Sequence, residues 1–284
     1  QESWHLWNAE GSNIVNLEGK SGPIIAVNWS PDASRIAAVS QGRVDFRDDT
    51  RTTSAVSIFE ADGTPGPVVR SQRGEIQDVA CRPAGESFAC GGDDGSVWLW
   101  RPDGTPLKVI DAGYREVNTL AWSPNGEQIA IGSRNVLQIV HRDGTRGASF
   151  AGSRIFVQSV AWSADASQIA VGCEDGTVRM FGADQSVQWV TRIGDAPVHS
   201  VTWSSDGKSL AAGSGNRIIA VIRRDGVLMD LHSTGATFPY SVAFTPDGTT
   251  LAAGCGDRTV RLLDLATGAQ PVQRGHGRLV HSVA

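Results

Sequence analysis

The chain lacks the features that would place it in a membrane or on a nucleic acid. None of the apolar runs in its 284 residues is long enough to cross a bilayer as a helix. Charged residues make up only 19% of the sequence, the two signs are interleaved, and the formal net charge is −5. Binding to nucleic acid or to anionic lipid needs clustered positive charge, so the composition predicts neither partner.

Cysteine and histidine are scarce, and their spacing suggests no metal centre. The cysteines form no C-x-x-C pair and fall within predicted strands, and the six histidines are scattered over the chain. We therefore predict reduced, buried thiols in a cytoplasmic protein with no metal and no cofactor. The cysteines are Cys81, Cys90, Cys173 and Cys255.

The sequence also lacks the local signatures of common enzymes. It has no G-x-S-x-G elbow, no glycine-rich phosphate loop and no H-E-x-x-H motif. We assign no catalytic residue, and we predict that the protein is not an enzyme.

What the sequence does contain is a unit that recurs about every 41 residues. One column of apolar residues marks each copy, and a second column follows in phase. A fixed period of short strands and tight turns indicates a repeated β-sheet unit. The first column is Val27, Val79, Leu120, Val160, Val201, Val242 and Val283. The second is Trp7, Phe59, Trp100, Val140, Phe181, Ile222 and Leu263.

Each copy divides into four predicted strands, a to d, separated by turns rich in Asp-Gly and Asn-Gly. The stretch Val157 to Phe181 holds three of the four strands of one copy. Asn or Asp followed by Gly suits turns that require positive φ, so we interpret the turn aspartates as structural.

The motifs of these copies resemble those of the WD40-repeat family over essentially the whole chain. The clearest copy reads VAFTPDG at 242–248, LAAG at 251–254 and TVRLLD at 259–264. The chain departs from the family pattern in having no intact Trp-Asp dipeptide and a single Gly-His, at Gly275-His276. The side-chain network that the family builds from His, Ser, Trp and Asp is therefore expected to be incomplete. The copies are similar to those of bacterial WD40 arrays in signalling proteins.

The resemblance implies an all-β fold, and the count of copies predicts a seven-bladed β-propeller of four-stranded antiparallel blades. Residues 1–284 are expected to form a single domain, alone or within a larger protein. Seven a strands are expected, the last at 280–284, and seven c strands, the first at 3–8, but only six b strands. One blade, closed from both chain ends, is thus expected to lack a strand. Excision or disorder, a strand from another chain, and a longer array all remain open as explanations.

Two exceptions to the repeat are candidate partner-binding regions. The first is the insertion at 42–54, in the b–c loop of the first complete blade, with mixed charges and one phenylalanine. A solvated loop is the alternative interpretation. Its candidate contact residues are Arg43, Phe46, Arg47 and Arg51.

The second exception is a polar column on strand a, which should ring the mouth of a central channel. Residues just before strand a add aromatic and arginine side chains of the kind that dominate interface hot spots. The column is Ile25, Gln77, Asn118, Gln158, His199, Tyr240 and His281, and the rim is Tyr114, Arg115, Arg154, Phe156 and Phe238.

We therefore predict a non-enzymatic interaction scaffold or sensor that binds a protein or peptide on the face of the d–a and b–c loops. Other domains of the same polypeptide are also candidate partners. The first alternative is a propeller-scaffold enzyme, such as a hydrolase or lactonase, acting at the channel. The second is a purely structural array. Carboxylates or histidines converging at the channel mouth would favour the enzyme, and a mouth filled by Gln, Asn and Tyr would favour the module.

Overall fold

The structure is a computed structural model, and all its regular elements are β-strands. It describes residues 3–7, 13–18, 22–41, 44–45, 50–51, 54–71, 74–113, 116–151, 156–184, 186–274, 276 and 278–284. No helix that could span a membrane occurs in these ranges. Residues 1–120 and 121–284 form two compact units, called unit 1 and unit 2 below. The prediction of an all-β chain is confirmed.

The N-terminal strands form two four-stranded sheets and two short pairs. The sheets run β3-β4-β7-β8 and β9-β10-β11-β12, and the pairs are β1-β2 and β5-β6. The strands are β1 (Ser3–Trp7), β2 (Asn13–Glu18), β3 (Ile24–Trp29), β4 (Arg35–Ser40), β5 (Val44–Asp45), β6 (Thr50–Arg51), β7 (Ala55–Glu60), β8 (Pro65–Arg70), β9 (Ile76–Cys81), β10 (Phe88–Gly92), β11 (Ser96–Trp100) and β12 (Pro106–Asp111).

Four further sheets follow, each pairing four consecutive strands in antiparallel order. The strands are β13 (Thr119–Trp122), β14 (Gln128–Gly132), β15 (Val136–His141), β16 (Arg146–Ala151), β17 (Val157–Trp162), β18 (Gln168–Cys173), β19 (Thr177–Gly182), β20 (Val187–Arg192), β21 (Val198–Trp203), β22 (Ser209–Ser214), β23 (Ile218–Arg223), β24 (Leu228–Ser233), β25 (Pro239–Phe244), β26 (Thr250–Cys255), β27 (Thr259–Asp264) and β28 (Val272–Arg274).

These sheets are the blades of a β-propeller fold, but the predicted number of seven blades is wrong. The described residues form six four-stranded blades. At the N-terminus β1 pairs only with β2, and residues 278–284 contain no strand. The physical reason is the one missing b strand: without it, nothing is present to bridge the a and c strands of a seventh blade through backbone hydrogen bonds.

The core lies between successive blades rather than within one sheet. In unit 2, Met180 of β19 belongs to the same buried cluster as Val201, Leu210 and Ala220 of the next blade. The b strands are buried on both faces because a strand covers each edge and a blade covers each face. All six residues of β18 are buried. This position favours small and β-branched residues over an alternating pattern.

A glycine near the end of five of the six b strands allows the next a strand to approach closely; β4 has none. A Cβ built on Gly172 would lie 2.9 Å from Val198 Cγ1 and 3.0 Å from the Val198 carbonyl oxygen. Gly254 meets Val280 at 2.8 Å in the same way. Glycine is required at these positions by the close contact and not by backbone conformation.

A hydroxyl on each a strand of unit 2 binds the a strand of the following blade. The backbone N–H groups of Val201 and Val242 each donate to a serine Oγ at 3.1 Å, those of Ser159 and Ser200. The N–H of Val283 donates to Ser241 Oγ at the same distance. The C-terminal segment therefore occupies the position of an a strand beside β25, although it is not itself a strand.

Unit 1 has an aspartate at the position that serine occupies in unit 2. Asp78 Oδ2 accepts the N–H of Leu120 at 2.9 Å, and its Oδ1 accepts the N–H of Val79 at 2.8 Å. Desolvation by burial outweighs these hydrogen bonds and raises the pKa of Asp78 to about 6.

The raised pKa predicts that Asp78→Ser stabilises the protein at pH 7.5. The folded protein keeps the Asp78 proton up to about pH 6, whereas the unfolded chain loses it near the ordinary value of 3.8. Stability from this group is therefore complete below about pH 4 and is lost as the pH rises through 6. Serine makes the same bond without charge, so we expect a gain of about 1–2 kcal/mol at pH 7.5.

Denaturant unfolding of both proteins between pH 4 and 8 measures this effect. The gain should shrink towards pH 4, where the carboxyl is protonated in the folded state. A gain that stays constant with pH, or a loss at pH 7.5, would contradict the proposed desolvation.

The a–b turns are stabilised by an aspartate that binds neighbouring hydroxyls and amides. Asp165 Oδ1 accepts the hydroxyls of Ser163 and Ser167 at 2.7 and 2.8 Å, and Arg224 of the next blade donates to Asp165 Oδ2 at 2.7 Å. The corresponding hydrogen bonds from Ser30 and Ser34 lower the pKa of Asp32 to about 2. These contacts support the structural interpretation of the turn aspartates.

Two of these turns carry alanine where others carry glycine. Ala33 and Ala166 have φ of 53° and 57°, in the left-handed region, while Gly126 and Gly207 have 67° and 66° at equivalent positions. An L-residue is strained there, so we expect Ala33→Gly and Ala166→Gly each to raise the free energy of unfolding by up to about 1 kcal/mol.

Chemical denaturation of each variant tests this expectation, and Gly207→Ala is the matched control. A Cβ at Gly207 meets only the Arg224 guanidinium, at 4.0 Å, so any loss in the control reports backbone strain. The account is wrong if the glycine variants are less stable than the parent.

Candidate functional site

The candidate site in unit 2 consists of the side chains at the second position of successive a strands, three of which are rings. Gln158 lies in β17, His199 in β21 and Tyr240 in β25, and His281 lies in the C-terminal segment beside β25. The ring centroids of His199 and Tyr240 are 5.2 Å apart, and those of Tyr240 and His281 are 5.4 Å apart. The predicted column is therefore a contiguous ladder here, with the two imidazoles separated by the phenol.

The ladder is half-buried, which controls the charge of its histidines. Desolvation lowers the pKa of His199 and of His281 below the usual value for histidine. Both imidazoles are therefore neutral at pH 7. A neutral imidazole carries one donor and one acceptor nitrogen, and the phenol carries a hydroxyl, so the ladder offers flat apolar faces with polar edges.

An apolar rim lies two residues before the ladder on each strand. It comprises Phe156, Pro197, Phe238 and Leu279, of which Phe238 is 37% exposed and Leu279 is 40% exposed. We call the rim and the ladder, together with the b–c turns beside them, the loop face of unit 2.

Arginines from the b–c turns cover two of the rim phenylalanines. The guanidinium carbon of Arg217 lies 5.4 Å from the ring centroid of Phe238, and that of Arg134 lies 5.9 Å from Phe156. These distances fit cation–π contacts. The loop face thus places cationic groups over the exposed ring of Phe238 and the half-buried ring of Phe156.

Two arginines of this face occupy strained backbone positions. Arg217 and Arg258 have φ of 64° and 69°, at the turn position where Gly95 and Gly176 have 79°. A non-glycine residue in the left-handed region costs about 1–2 kcal/mol. Sequence reasoning missed both arginines as site residues, although the break in the Asp-Gly turn pattern was a visible signal.

The loops that carry these side chains are fixed by hydrogen bonds between d–a connections and b–c turns. Asn216 Oδ1 accepts the N–H of Ala196 at 2.7 Å. Thr237 Oγ1 accepts the N–H of Asp257 at 2.9 Å, and the Thr237 carbonyl accepts the Thr234 hydroxyl at 2.6 Å. The loop face is therefore organised before any partner arrives.

A second network replaces part of the side-chain network expected from the family resemblance. Asp175 accepts the hydroxyl of Thr177 at 2.5 Å and the guanidinium of Arg179 at 2.7 Å. Burial alone would raise the pKa of Asp175, but these hydrogen bonds outweigh it and lower the pKa. Asp257, Thr259 and Arg261 repeat the arrangement.

The predicted site residues of unit 1 do not form a comparable ladder among the described residues. Gln77 lies in β9 and Asn118 just before β13, and both are half-buried. The rim positions that precede them hold Glu75 and Glu116 instead of apolar residues. The two units therefore differ in the chemistry of corresponding positions.

The insertion lies where the sequence predicted, between the second and third strands of the first complete blade. Strands β5 and β6 form a two-residue antiparallel pair within it. Arg51 belongs to β6. The remaining predicted contacts Arg43, Phe46 and Arg47, and the rim residues Tyr114, Arg115 and Arg154, lie outside the described residues.

Cysteines and metal ligands contribute no reactive centre to the described part of the chain. All four thiols are free, and three are buried. Burial raises the pKa of Cys81 to about 12 and those of Cys173 and Cys255 to about 11, so the thiolate is disfavoured. The described residues contain no group of three or more His, Cys, Asp or Glu side chains placed to hold a metal ion.

The blades and their repeat define a β-propeller repeat protein, and comparison with known families gives its family. The family model described as WD domain, G-beta repeat matches residues 66–101, 104–139, 144–181, 189–222 and 229–264. These segments make up more than half of the chain, which therefore belongs to the WD40-repeat family. A search of curated proteins found no relative that matches the chain.

Proposed function

We propose that the chain is a non-enzymatic interaction module that binds a protein or peptide partner on the loop face of unit 2. WD40 propellers are commonly scaffolds for protein interactions, which gives the class of function. The face named here, and a role as scaffold or sensor within a signalling protein of the cytoplasm, are the proposal.

The observation that carries the proposal is the pair of strained arginines. Arg217 and Arg258 sit in the left-handed region, where glycine would relieve strain. Residues held in such conformations cluster at functional sites, and these two, unlike Ala33 and Ala166 of the a–b turns, carry side chains that can bind a partner. Arg217 also covers Phe238, one of the exposed aromatic residues of the face.

The composition of the face supports a peptide or protein as the partner. Arginine and aromatic residues are the types enriched in interface hot spots. The neutral ring ladder provides apolar area together with hydrogen-bonding edges. The hydrogen bonds that fix the d–a connections and b–c turns reduce the conformational entropy lost on binding. An extended segment with apolar and acidic side chains complements this combination.

An enzyme acting at the ladder has less support from the geometry. His199 and His281 do not converge on one point, because Tyr240 stands between them. General acid–base catalysis needs a positioned group within hydrogen-bond reach of the substrate atom. The neutral imidazole and phenol rings of the ladder are better suited to the recognition of flat or apolar groups.

The proposal predicts that Arg217→Gly combined with Arg258→Gly has opposite effects on stability and binding. Removing two left-handed non-glycine residues should raise the free energy of unfolding by about 1 kcal/mol or more. Loss of both guanidinium groups should weaken partner binding by about tenfold or more. Denaturant unfolding and quantitative affinity purification with the full chain measure the two effects.

Arg223→Ala is the control for this experiment. Arg223 is exposed at a c–d turn, at the other end of the same blade, and pairs with Asp225 at 2.6 Å. Partners lost with the glycine variant and kept with the control support the proposal. If both variants keep the same partners, the loop face of unit 2 is not the binding interface. Charge reversal of Arg43, Arg47 and Arg51 in the same assay tests the insertion.

A further inference from the structure

Strand β24 is an outer edge strand with an unusual number of exposed apolar side chains. Within the described residues it ends the sheet of its blade, so its outer backbone edge pairs with no strand. Met229 is 58% exposed and Leu231 is 47% exposed, and Val227 and Leu228 beside them are exposed as well. An exposed apolar edge is a template for pairing with another strand.

Three of the other outer strands carry features that block such pairing. Strand β8 contains Pro65 and Pro67, β12 contains Pro106 and Lys108, and β28 is only three residues long. Proline, lysine and short length are recognised protections of edge strands. Strand β24 contains neither proline nor lysine.

The neighbouring outer strand β20 is tied to the adjacent blade. Trp189 Nε1 donates to the Arg224 carbonyl at 3.0 Å, and Thr191 Oγ1 donates to the Gly226 carbonyl at 2.7 Å. Strand β24 makes no comparable side-chain contact with another blade among the hydrogen bonds of the described residues. Among the described residues, β24 therefore has more exposed large apolar side chains than the other outer strands of unit 2.

The backbone of β24 restricts how a second strand can pair with it. The N–H of Leu231 donates to the carboxylate of Asp230 at 2.8 Å rather than to β23, so it points outwards. Residue 233 shares this outward orientation, because orientation alternates along a regular strand, whereas the register shifts between residues 228 and 230. A second copy in antiparallel pairing must place outward residues opposite outward residues.

Charge distinguishes the two-fold registers centred on residues 230, 231 and 232. A register centred on residue 230 would place two aspartates opposite each other, and one centred on residue 232 would pair two histidines. A register centred on Leu231 places Asp230 of each copy opposite His232 of the other. Within one strand, His232 Nε2 and Asp230 Oδ2 already lie 3.2 Å apart. Each side chain can therefore exchange this contact for the same contact with the other copy.

We propose that β24 mediates a homodimer in which two copies pair edge to edge, antiparallel, with Leu231 at the two-fold axis. The occupant of this edge is a second copy of the chain. Each Leu231 N–H leaves the Asp230 carboxylate and donates to the Leu231 carbonyl of the other copy. The released carboxylates face His232 across the interface, and Leu231 packs on Leu231.

The dimer is expected to be weak and dependent on concentration. One strand pair is a small interface, and the bond between Leu231 N–H and Asp230 must be given up to form it. Sedimentation velocity of the full chain over a wide concentration range should therefore show a reversible monomer–dimer equilibrium.

Leu231→Lys tests the position of the axis, and Val190→Lys is its matched control. Val190 occupies the equivalent register position on β20 and is 51% exposed. Leu231→Lys puts two like charges together at the axis and should weaken dimerisation by about tenfold or more. The control should dimerise like the parent.

A charge exchange tests the register itself. Asp230→Lys alone should weaken the dimer, because lysine then faces His232 of the other copy. Adding His232→Glu places opposite charges across the interface and should recover dimerisation. Thermal unfolding and circular dichroism of each variant show whether the fold is intact.

Each outcome decides the proposal. A parent chain that stays monomeric at every soluble concentration overturns it. A dimer that survives Leu231→Lys, or one that is lost equally with Val190→Lys, also overturns the proposal. A folded double variant that dimerises no better than Asp230→Lys overturns it as well.

Discussion

The structure depends on the close approach of each b strand to the a strand of the next blade. A glycine removes the side chain where the two backbones meet, as at Gly172 and Val198. Beside it, a serine hydroxyl accepts a backbone N–H from the following a strand, as Ser159 does for Val201. Blades that pack this closely bury both faces of their b strands, and this burial supplies a large share of the apolar core.

The same constraint explains where function and variation are found. Positions at the blade contact tolerate little change, so chemistry that differs between copies is confined to turns, rims and outer strands. Arg217 and Arg258 replace glycine at a turn, Phe238 and Leu279 are exposed on a rim, and β24 is open on an edge. Asp78 is the exception, since it introduces a titratable group into the blade contact itself.

Much of the fold could be predicted from the sequence because the repeat is strong. The period, the four strands per copy and the position of the insertion all follow from local patterns, and the structure confirms them. The sequence also shows only six b strands, but the seven a strands and seven c strands predicted seven blades. A blade needs all four strands to satisfy its backbone, so the least frequent strand is the better guide to the number of blades.

The candidate site was predicted in part. The ladder of His199, Tyr240 and His281 follows from the column, because equivalent positions on adjacent a strands lie side by side. The left-handed arginines could not be derived from residue type alone, since φ is set by the b–c turn, and only the break in the Asp-Gly pattern indicated them. The exposure of β24 likewise depends on which residues of other blades cover each outer strand. The sequence pattern within one copy does not contain this information.

The central claim, that a glycine near the end of five of the six b strands permits the blades to pack, is tested most directly at Gly172. The measurement is the free energy of unfolding of Gly172→Ala in denaturant, compared with the parent chain. A methyl group there meets Val198 Cγ1 at 2.9 Å and the rigid Val198 carbonyl at 3.0 Å, so we predict a loss of about 1–3 kcal/mol. Unchanged or increased stability of Gly172→Ala would contradict the account.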